Sequence, residues 1–432
     1  MKRKAYRSTE VKQVRLELVL RVAPPGPVTV GLDVGKFEIY VVVRWADGTF
    51  ERPWKVANPS EVEFLVGVLR VLAVARVVMV AMESTGTYGD ALRGKLSAAG
   101  LVLQRVGGKA ASDYAEIFDG VPSQHDGKDA AVIAELAAFG KSRPWPYREA
   151  SEADAAMTYW VTWLDAQQSV QKLWSGRLEA LLARHWPECT RLLKLTSVTL
   201  LSTLAEYGGP AKLAQDAKAA TQLAKWGHGG LSKAKIGWVL ASAAQTVGTR
   251  QGAQQVQQMR EYARLALGAY RETEQARERL AELAADNEVV KRLALVVGVA
   301  TACVLWVALG DPRDYPCGEA YRKGMGLNLK ERSSGRYQGR LKITKRGPSI
   351  ARRWMYFAAM RTVQDASVRS WYAAKKVKDK DRGRGALIAV MRKLALACYA
   401  VGARGETFDP ALLFPGKKVT CKPRRATQAV KS

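Results

Sequence analysis

Residues 28–45 read VTVGLDVGKFEIYVVVRW. An apolar run carries one acid, Asp33, breaks at Gly35-Lys36 and resumes as a second run rich in β-branched residues. This pattern predicts a β-hairpin with Asp33 near the end of its first strand. Val28, Val30, Leu32 and Val34 alternate onto one face, which puts Asp33 on the other. In a sheet covered on both faces, a lone carboxylate is costly unless it is paired or holds a metal. Asp33 therefore needs partners from elsewhere in the chain.

Downstream, Asp47-Gly48 signals a turn before a third strand over residues 49–56. Asn58-Pro59-Ser60 opens a helix with Glu61 and Glu63 in its first turn, as the helix dipole prefers. RVVMVAME (76–83) is a strand ending on Glu83, Ser84-Thr85-Gly86 opens the next helix, and residues 101–106 form a fifth strand. Two helical stretches follow, the second over residues 125–139. Three strands joined as hairpins, then helix–strand–helix–strand–helix, is the order of an RNase H-like mixed-sheet domain, placed here at residues 27–150. Residues 1–26 read as a flexible basic arm ending at Pro24-Pro25.

Residues 151–292 switch to helical periodicity and predict a connector. Met157, Trp160, Leu164, Trp174, Leu178 and Leu181 share one seam. Val256, Met259, Ala263, Ala266, Tyr270, Leu280 and Ala284 share another, with Thr273 and Arg277 interrupting it. The spacing fits an antiparallel coiled coil or dimerisation arm, with a plain helical bundle as the alternative. Gly208-Gly209-Pro210 and Gly227-His228-Gly229-Gly230 mark a hinge or tip between the seams. A mostly helical unit over 293–405 opens with RLALVVGVATACVLWVALGDPRDY, which resembles a helix–hairpin–helix, a motif that binds backbone phosphate. Residues 406–432 form a basic tail, read as disordered.

The 432 residues carry a net charge of +28. Residues 313–432 alone hold 29 Lys and Arg against 8 Asp and Glu, so the partner expected is a polyanion. With 12 Trp and 15 Tyr among the basic residues, nucleic acid is favoured over a membrane face. The five cysteines form no CxxC pair, so neither a disulfide framework nor a zinc site is expected and a reducing cytoplasm fits. No signal peptide is read at the basic N-terminus. The uncharged run 293–309 is short for a membrane span and reads as a buried helical hairpin.

Glu83, at a strand end, can lie beside Asp33 at the sheet edge. Asp126 and Asp129, three apart in a helix, share one face. Four clustered carboxylates repel one another unless a cation joins them, and Mg²⁺ is the ordinary choice for hard oxygen ligands. GLDVGK also resembles the first phosphate loop of actin-like sugar kinases, but the two further Gly-rich motifs those enzymes need are not found. In the last third, Ser333-Ser334-Gly335 lies among Lys330, Arg332, Arg336, Arg340, Lys342, Lys345, Arg346, Arg352 and Arg353. A serine attacking phosphate needs such cations to offset the charge of its transition state. The same bases also suit a hairpin that only positions phosphate. Ser333 is the alternative nucleophile, the Ser-Gly order favouring Ser334.

GLDVGK with Asp33, ESTGTY with Glu83, DGKDAAVIAEL with Asp126 and Asp129, and LNLKERSSGRYQGRLKITKRG with Ser334 resemble, in this order, transposases of the insertion-sequence 110 family. The resemblance covers about residues 28–405. It implies an RNase H/RuvC-like DEDD domain, a coiled-coil connector and a C-terminal transposase domain bearing a serine. It implies Mg²⁺ on Asp33, Glu83, Asp126 and Asp129, with Ser334 forming a covalent phosphoserine on DNA. It further implies guidance by a structured non-coding RNA, double-stranded DNA as element ends and target, and a homo-oligomer, a dimer or dimer of dimers with a composite site. The expected location is the cytoplasm of a prokaryotic cell, near the nucleoid. Two other readings use the same residues: a metal-dependent junction nuclease hydrolysing with water, and a non-catalytic nucleic-acid-binding protein.

Overall fold

A computed structural model describes residues 7–84, 86–120, 125–331, 333–334, 337–339, 341–379 and 383–415. The chain divides into two compact units, Met1–Glu149 and Ala150–Ser432. Arg332, Gly335, Arg336 and Arg340, and the tail from Lys417, lie outside the described residues.

The first unit runs β1 (Thr9–Glu10), α1 (Leu16–Val22), β2 (Val28–Val34), β3 (Glu38–Arg44), β4 (Trp54–Ala57), α2 (Val62–Ala75), β5 (Val78–Glu83), α3 (Asp90–Ala98), β6 (Val102–Val106), α4 (Gly108–Asp119), α5 (Asp126–Ala138) and β7 (Ser142–Pro144). The opening hairpin forms where its alternation places it. β2 pairs antiparallel with β3 from Thr29↔Arg44 to Val34↔Ile39, and Gly35 N donates to Glu38 O at 2.9 Å to close the turn. β4 extends the sheet antiparallel on one side, while β5 and β6 add parallel strands on the other. The strand order is β1-β4-β3-β2-β5-β6-β7, whose middle five strands have the RNase H/RuvC-like arrangement.

Two layers cover this sheet. The even-numbered side chains of β2 join Leu65, Leu69 and Leu72 of α2 and Leu92 and Leu96 of α3 in one core. The opposite face packs against α4 and α5, where Ala81 and Val106 meet Ala111, Val132, Ile133 and Leu136. Three details depart from the sequence expectation. The third strand is shorter than residues 49–56 and starts at Trp54, because Pro53 cannot donate to a ladder; Phe50 keeps only an isolated bridge to Arg44. Residues 9–22, expected within a flexible basic arm, form an edge strand parallel to β4 and a helix, with Val11 buried in the same core. β7 adds an antiparallel edge beside β6.

In the second unit, α6 (Glu152–His185) and α12 (Ala253–Ala285) lie antiparallel. Met157, Val161 and Leu164 near the start of α6 share a core with Ala276, Leu280 and Ala284 near the end of α12. At their far ends Leu178 and Leu182 meet Met259, Ala263 and Ala266. Arg277 points outward to Glu274, leaving Ala276 to fill the seam, while Thr273 is buried and satisfies its hydroxyl on Ala269 O at 2.8 Å. Between the two helices α7 (Cys189–Leu192), α8 (Val198–Tyr207), α9 (Pro210–Gln215), α10 (Ala219–Trp226) and α11 (Lys233–Ala244) build a tip around Trp186, Leu200, Leu204 and Leu223.

After α12 come α13 (Glu288–Val297) and α14 (Val299–Leu309), which meet at Gly298 with φ +80°, so the run 293–309 is two largely buried helices. They pack with α15 (Gly318–Gly324), α16 (Ser349–Thr362), α17 (Ala366–Lys378), α18 (Gly383–Arg404) and α19 (Pro410–Leu413). By length and composition α18 could cross a membrane; here Leu387, Val390, Leu394, Cys398 and Val401 are buried in the core of this unit.

Candidate active site and basic hairpin

Asp33 leaves β2 on the face that α5 covers. The approach is unusually close at Gly31, two residues earlier on the same face. A Cβ there would overlap the Ala130 carbonyl oxygen and stand 2.7 Å from Ala134 N, so only glycine lets α5 rest on the strand backbone. Arg44 of β3 pairs with Glu135 further along α5 and fixes the helix against the sheet. The first turn of α5, where a helix favours anions, holds Asp126 and Asp129. As a result Asp33, Asp126 and Asp129 each place a carboxylate oxygen within 4.8 Å of the others.

Glu83 ends β5, the parallel neighbour of β2. Its carboxylate lies over Gly108 in the first turn of α4, where a Cβ would overlap Oε1. Burial, and then the charges of Asp129, Asp126 and Glu83, push the Asp33 carboxyl up to about 6. Burial and Asp129 raise Glu83 as well. Burial and Asp126 raise Asp129, opposed by the positive charge of Lys128 and by His125. Mutually destabilised hard oxygens in one place fit a divalent cation such as those bound by carboxylates.

Sequence reading missed the frame around these acids. Lys128 is fully buried between Asp126 and Asp129 in sequence, and its Nζ meets Asp119 Oδ1, at the end of α4, at 2.7 Å. Thus α4 touches Glu83 at its first turn and Lys128 at its last. A glycine inside a strand signals close backbone approach, so Gly31 was legible; nothing in the sequence marks Lys128 as buried.

Ser334 belongs to the second unit. Short strands β8 (Leu329–Lys330) and β11 (Lys342–Ile343) pair antiparallel, and beyond them β9 (Ser333–Ser334) pairs with β10 (Tyr337–Gln338). The hairpin base is fixed by Gly326 and Gly347, whose missing Cβ atoms let the two chain segments meet, and by Thr344 N donating to Asn328 O at 2.7 Å. Ser333 and Ser334 are exposed, and Ser333 Oγ donates to Glu331 at 3.1 Å. Lys330, Lys342, Lys345 and Arg346 are exposed on the hairpin and its base, whereas two of the expected phosphate contacts are engaged within the fold. Arg352 donates to Met325 O and Gly347 O at 3.2 and 2.6 Å, and Arg353 pairs with Asp165 of α6. The turn at Gly298 is braced by Arg361, whose Nη2 donates to Val297 O at 2.8 Å and Thr301 Oγ1 at 3.2 Å.

A comparison with curated proteins found no match. Among solved structures, the chain is similar to T. thermophilus RuvC in complex with Holliday junction substrate, at 18% identity over 28% of this chain and 99% of that one; the TM-score of 0.21 is too low to bear on function. Two family models match. One, for the DEDD domain of IS110 transposases, covers residues 30–187, the stretch holding Asp33, Glu83, Asp126 and Asp129. The other, described as Transposase IS116/IS110/IS902 family, covers residues 295–374, the stretch holding Ser334. Together the two take in more than half of the chain, and the chain belongs to the IS110 family of transposases.

Proposed function

We propose that this transposase is an RNA-guided, serine-type DNA recombinase, with Mg²⁺ bound by Asp33, Glu83, Asp126 and Asp129 and with Ser334 as nucleophile. The observation that carries the reading is the acid cluster at one sheet edge, in a chain whose two matched segments belong to one transposase family. Bound there, Mg²⁺ supplies positive charge to phosphate oxygens. The raised carboxyl of Asp33 marks a site that gains by holding a cation. Asp126 and Asp129 lie with Asp33 in the group of three close carboxylates, and Glu83, raised first by burial and then by the charge of Asp129, is the fourth ligand in this reading.

Ser334 is exposed on its hairpin, with Lys330 and Lys342 on the strands below it. In the step proposed, Ser334 Oγ bonds to a backbone phosphorus, and the bond from phosphorus to the bridging oxygen of that strand breaks. The departing oxygen takes up the serine proton and becomes a hydroxyl end. Attack by the hydroxyl end of another strand reverses the step, joins the new strands and frees Ser334. The lysines offset charge on the phosphate as it crowds. The guide RNA, the DNA partners and an oligomer sharing acids and serine between subunits follow from the family resemblance.

A second reading has one observation in its favour: Asp33, Asp126 and Asp129 gather within the first unit and need no serine to hydrolyse with water. A denaturing gel separates the two. Wild-type protein with Mg²⁺ and cognate DNA should form a covalent protein–DNA adduct, and Ser334→Ala should lose adduct and strand exchange while binding DNA normally. Recombination by Ser334→Ala together with its loss in Ser333→Ala would move the nucleophile to Ser333. Cut DNA with no adduct would favour hydrolysis.

A further inference from the structure

The inward side of α2 carries Val62, Leu65, Val66, Leu69 and Leu72, all buried in the core of the first unit. Its outward side is almost as apolar. Glu63 and Arg70 are the only charges in its fourteen residues, and Phe64, Val71 and Val74 are exposed by 43, 56 and 91%. A helix apolar on nearly every side is one that a partner covers. Gly67 sits in the middle of this outward side, exposed, and a Cβ there would meet nothing within 4 Å. Glycine inside a helix costs stability relative to alanine, and no contact among the described residues calls for it. What the missing side chain does provide is room for another backbone to come close. Beside it runs an open groove of about 690 Å³ between residues 14–18 and α2, walled by Val14, Leu16, Leu18 and Val68.

The charges around this face choose its occupant. Arg15 and Glu17 edge the groove, and Glu63 and Arg70 edge the opposite flank, so the signs cancel in a chain of net charge +28. A neutral, apolar face does not suit nucleic acid or an anionic membrane, and it is where two copies of so basic a chain can approach. Its pattern is also self-complementary. Helical spacing puts Glu63 and Arg70, seven residues apart, on one flank of the stripe Gly67, Val71 and Val74. When two copies cross antiparallel about a two-fold axis at Gly67, each Glu63 comes level with the other copy's Val71 and within reach of its Arg70. Within the chain Glu63 meets Lys95 Nζ at 2.6 Å, an exposed pair of small worth. We infer that α2 packs against α2 of a second copy, antiparallel about Gly67 and closed by two Glu63–Arg70 pairs. This deepens the oligomer proposed above by assigning one of its faces, and it rests on that self-association, not on the identity of the nucleophile.

The test uses the full chain without nucleic acid, with sedimentation of the wild type to show whether it self-associates. Gly67→Cys puts two thiols side by side at the axis and should give a disulfide-linked dimer on mild oxidation, well above the background from the native cysteines. Ala73→Cys, exposed on the same helix but off the stripe, should stay at that background. Added to Gly67→Cys, Glu63→Arg should cut the linkage severalfold, and Arg70→Glu added to both should restore it, because each pair is then reversed. Two residues two turns apart on one helix cannot give that rescue within a single chain. Equal linkage at Gly67→Cys and Ala73→Cys would mean random collision and overturn the face, as would a charge reversal that neither weakens the linkage nor is rescued. An oligomeric wild type whose Gly67→Cys variant stays unlinked would also overturn it, leaving the oligomer to another surface and this face to a different protein. A monomeric wild type would remove the oligomer together with the face.

Discussion

Asp33 stands between a seven-stranded sheet and the first turns of α5, while Ser334 stands on a two-residue strand of an exposed hairpin. The first residue is held against opposition. Burial and three neighbouring carboxylates disfavour its charge, and the fold answers with Gly31, the Arg44–Glu135 pair and the Lys128–Asp119 pair. Among the described residues the second has no comparable frame beyond the hairpin base at Gly326 and Gly347. The difference follows from what each group is proposed to do. Cation ligands must sit close despite like charge, which takes rigid elements. A nucleophile must reach a phosphate that arrives with the substrate, which takes exposure.

The largest effects should come from removing the acids, and they should differ from removal of the serine in one respect. Asp33→Ala and Asp129→Ala are expected to bring strand exchange to background, as Ser334→Ala does, but with DNA binding equal to or tighter than wild type because negative charge is lost. Recombination assays paired with salt-controlled binding read both. Full activity of wild type in EDTA would sink the cation and with it the contrast.

Next in size is the frame. Gly31→Ala puts a methyl into the Ala130 carbonyl, where backbone and not a flexible side chain must give way. The cost expected is about 3 kcal/mol, the upper end for overpacking. Denaturant unfolding of the full chain should show it, and activity should fall as α5 lifts from β2. Gly108→Ala differs in kind, because the Cβ meets the Glu83 carboxylate, the mobile end of a side chain. Stability should hold, since alanine suits a helix better than glycine. A carboxylate displaced by an ångström should nevertheless cost roughly 10²-fold in rate. If Gly108→Ala recombines normally, Glu83 is not needed where the structure places it.

The two regions were unequally legible in the sequence, for physical reasons. Alternation in residues 28–34 fixes which face Asp33 takes, because one residue of slippage would turn Leu32 and Val34 toward α5 and carry Asp33 into the core against α2 and α3. Helical spacing likewise puts Asp126 and Asp129 together. The short edges β1 and β7 carry too few residues to show a period. Lys128 reads as a solvated lysine, since burial of a charge depends on a partner contributed by another element, here Asp119. Around the serine, charge alone marked nine bases as phosphate contacts. Arg352 and Arg353 look no different in sequence from Lys330 or Lys342, yet one braces the Gly347 turn and the other pairs with Asp165.

The smallest effect expected is also the most direct measure of the strain at Asp33. Its carboxyl titrates near 6 in the folded chain against an ordinary value of 3.8, so folding favours the protonated form. The stability this contributes is fully present below about pH 4 and is lost as pH rises through about 6. Asparagine cannot ionise. In EDTA, Asp33→Asn should therefore unfold a few degrees above wild type at pH 8, and the gap should close below pH 4. Adding Mg²⁺ or Mn²⁺ at pH 8 should shrink or reverse the gap, because only the wild-type site gains a ligand that binds the folded form. The corresponding change at the exposed serine, Ser334→Ala, should leave the gap from wild type near zero across the same pH range, with and without the ion. A gap for Asp33→Asn that ignores both pH and cation would mean that the carboxylates are not crowded in solution, and the contrast with the exposed serine would fall.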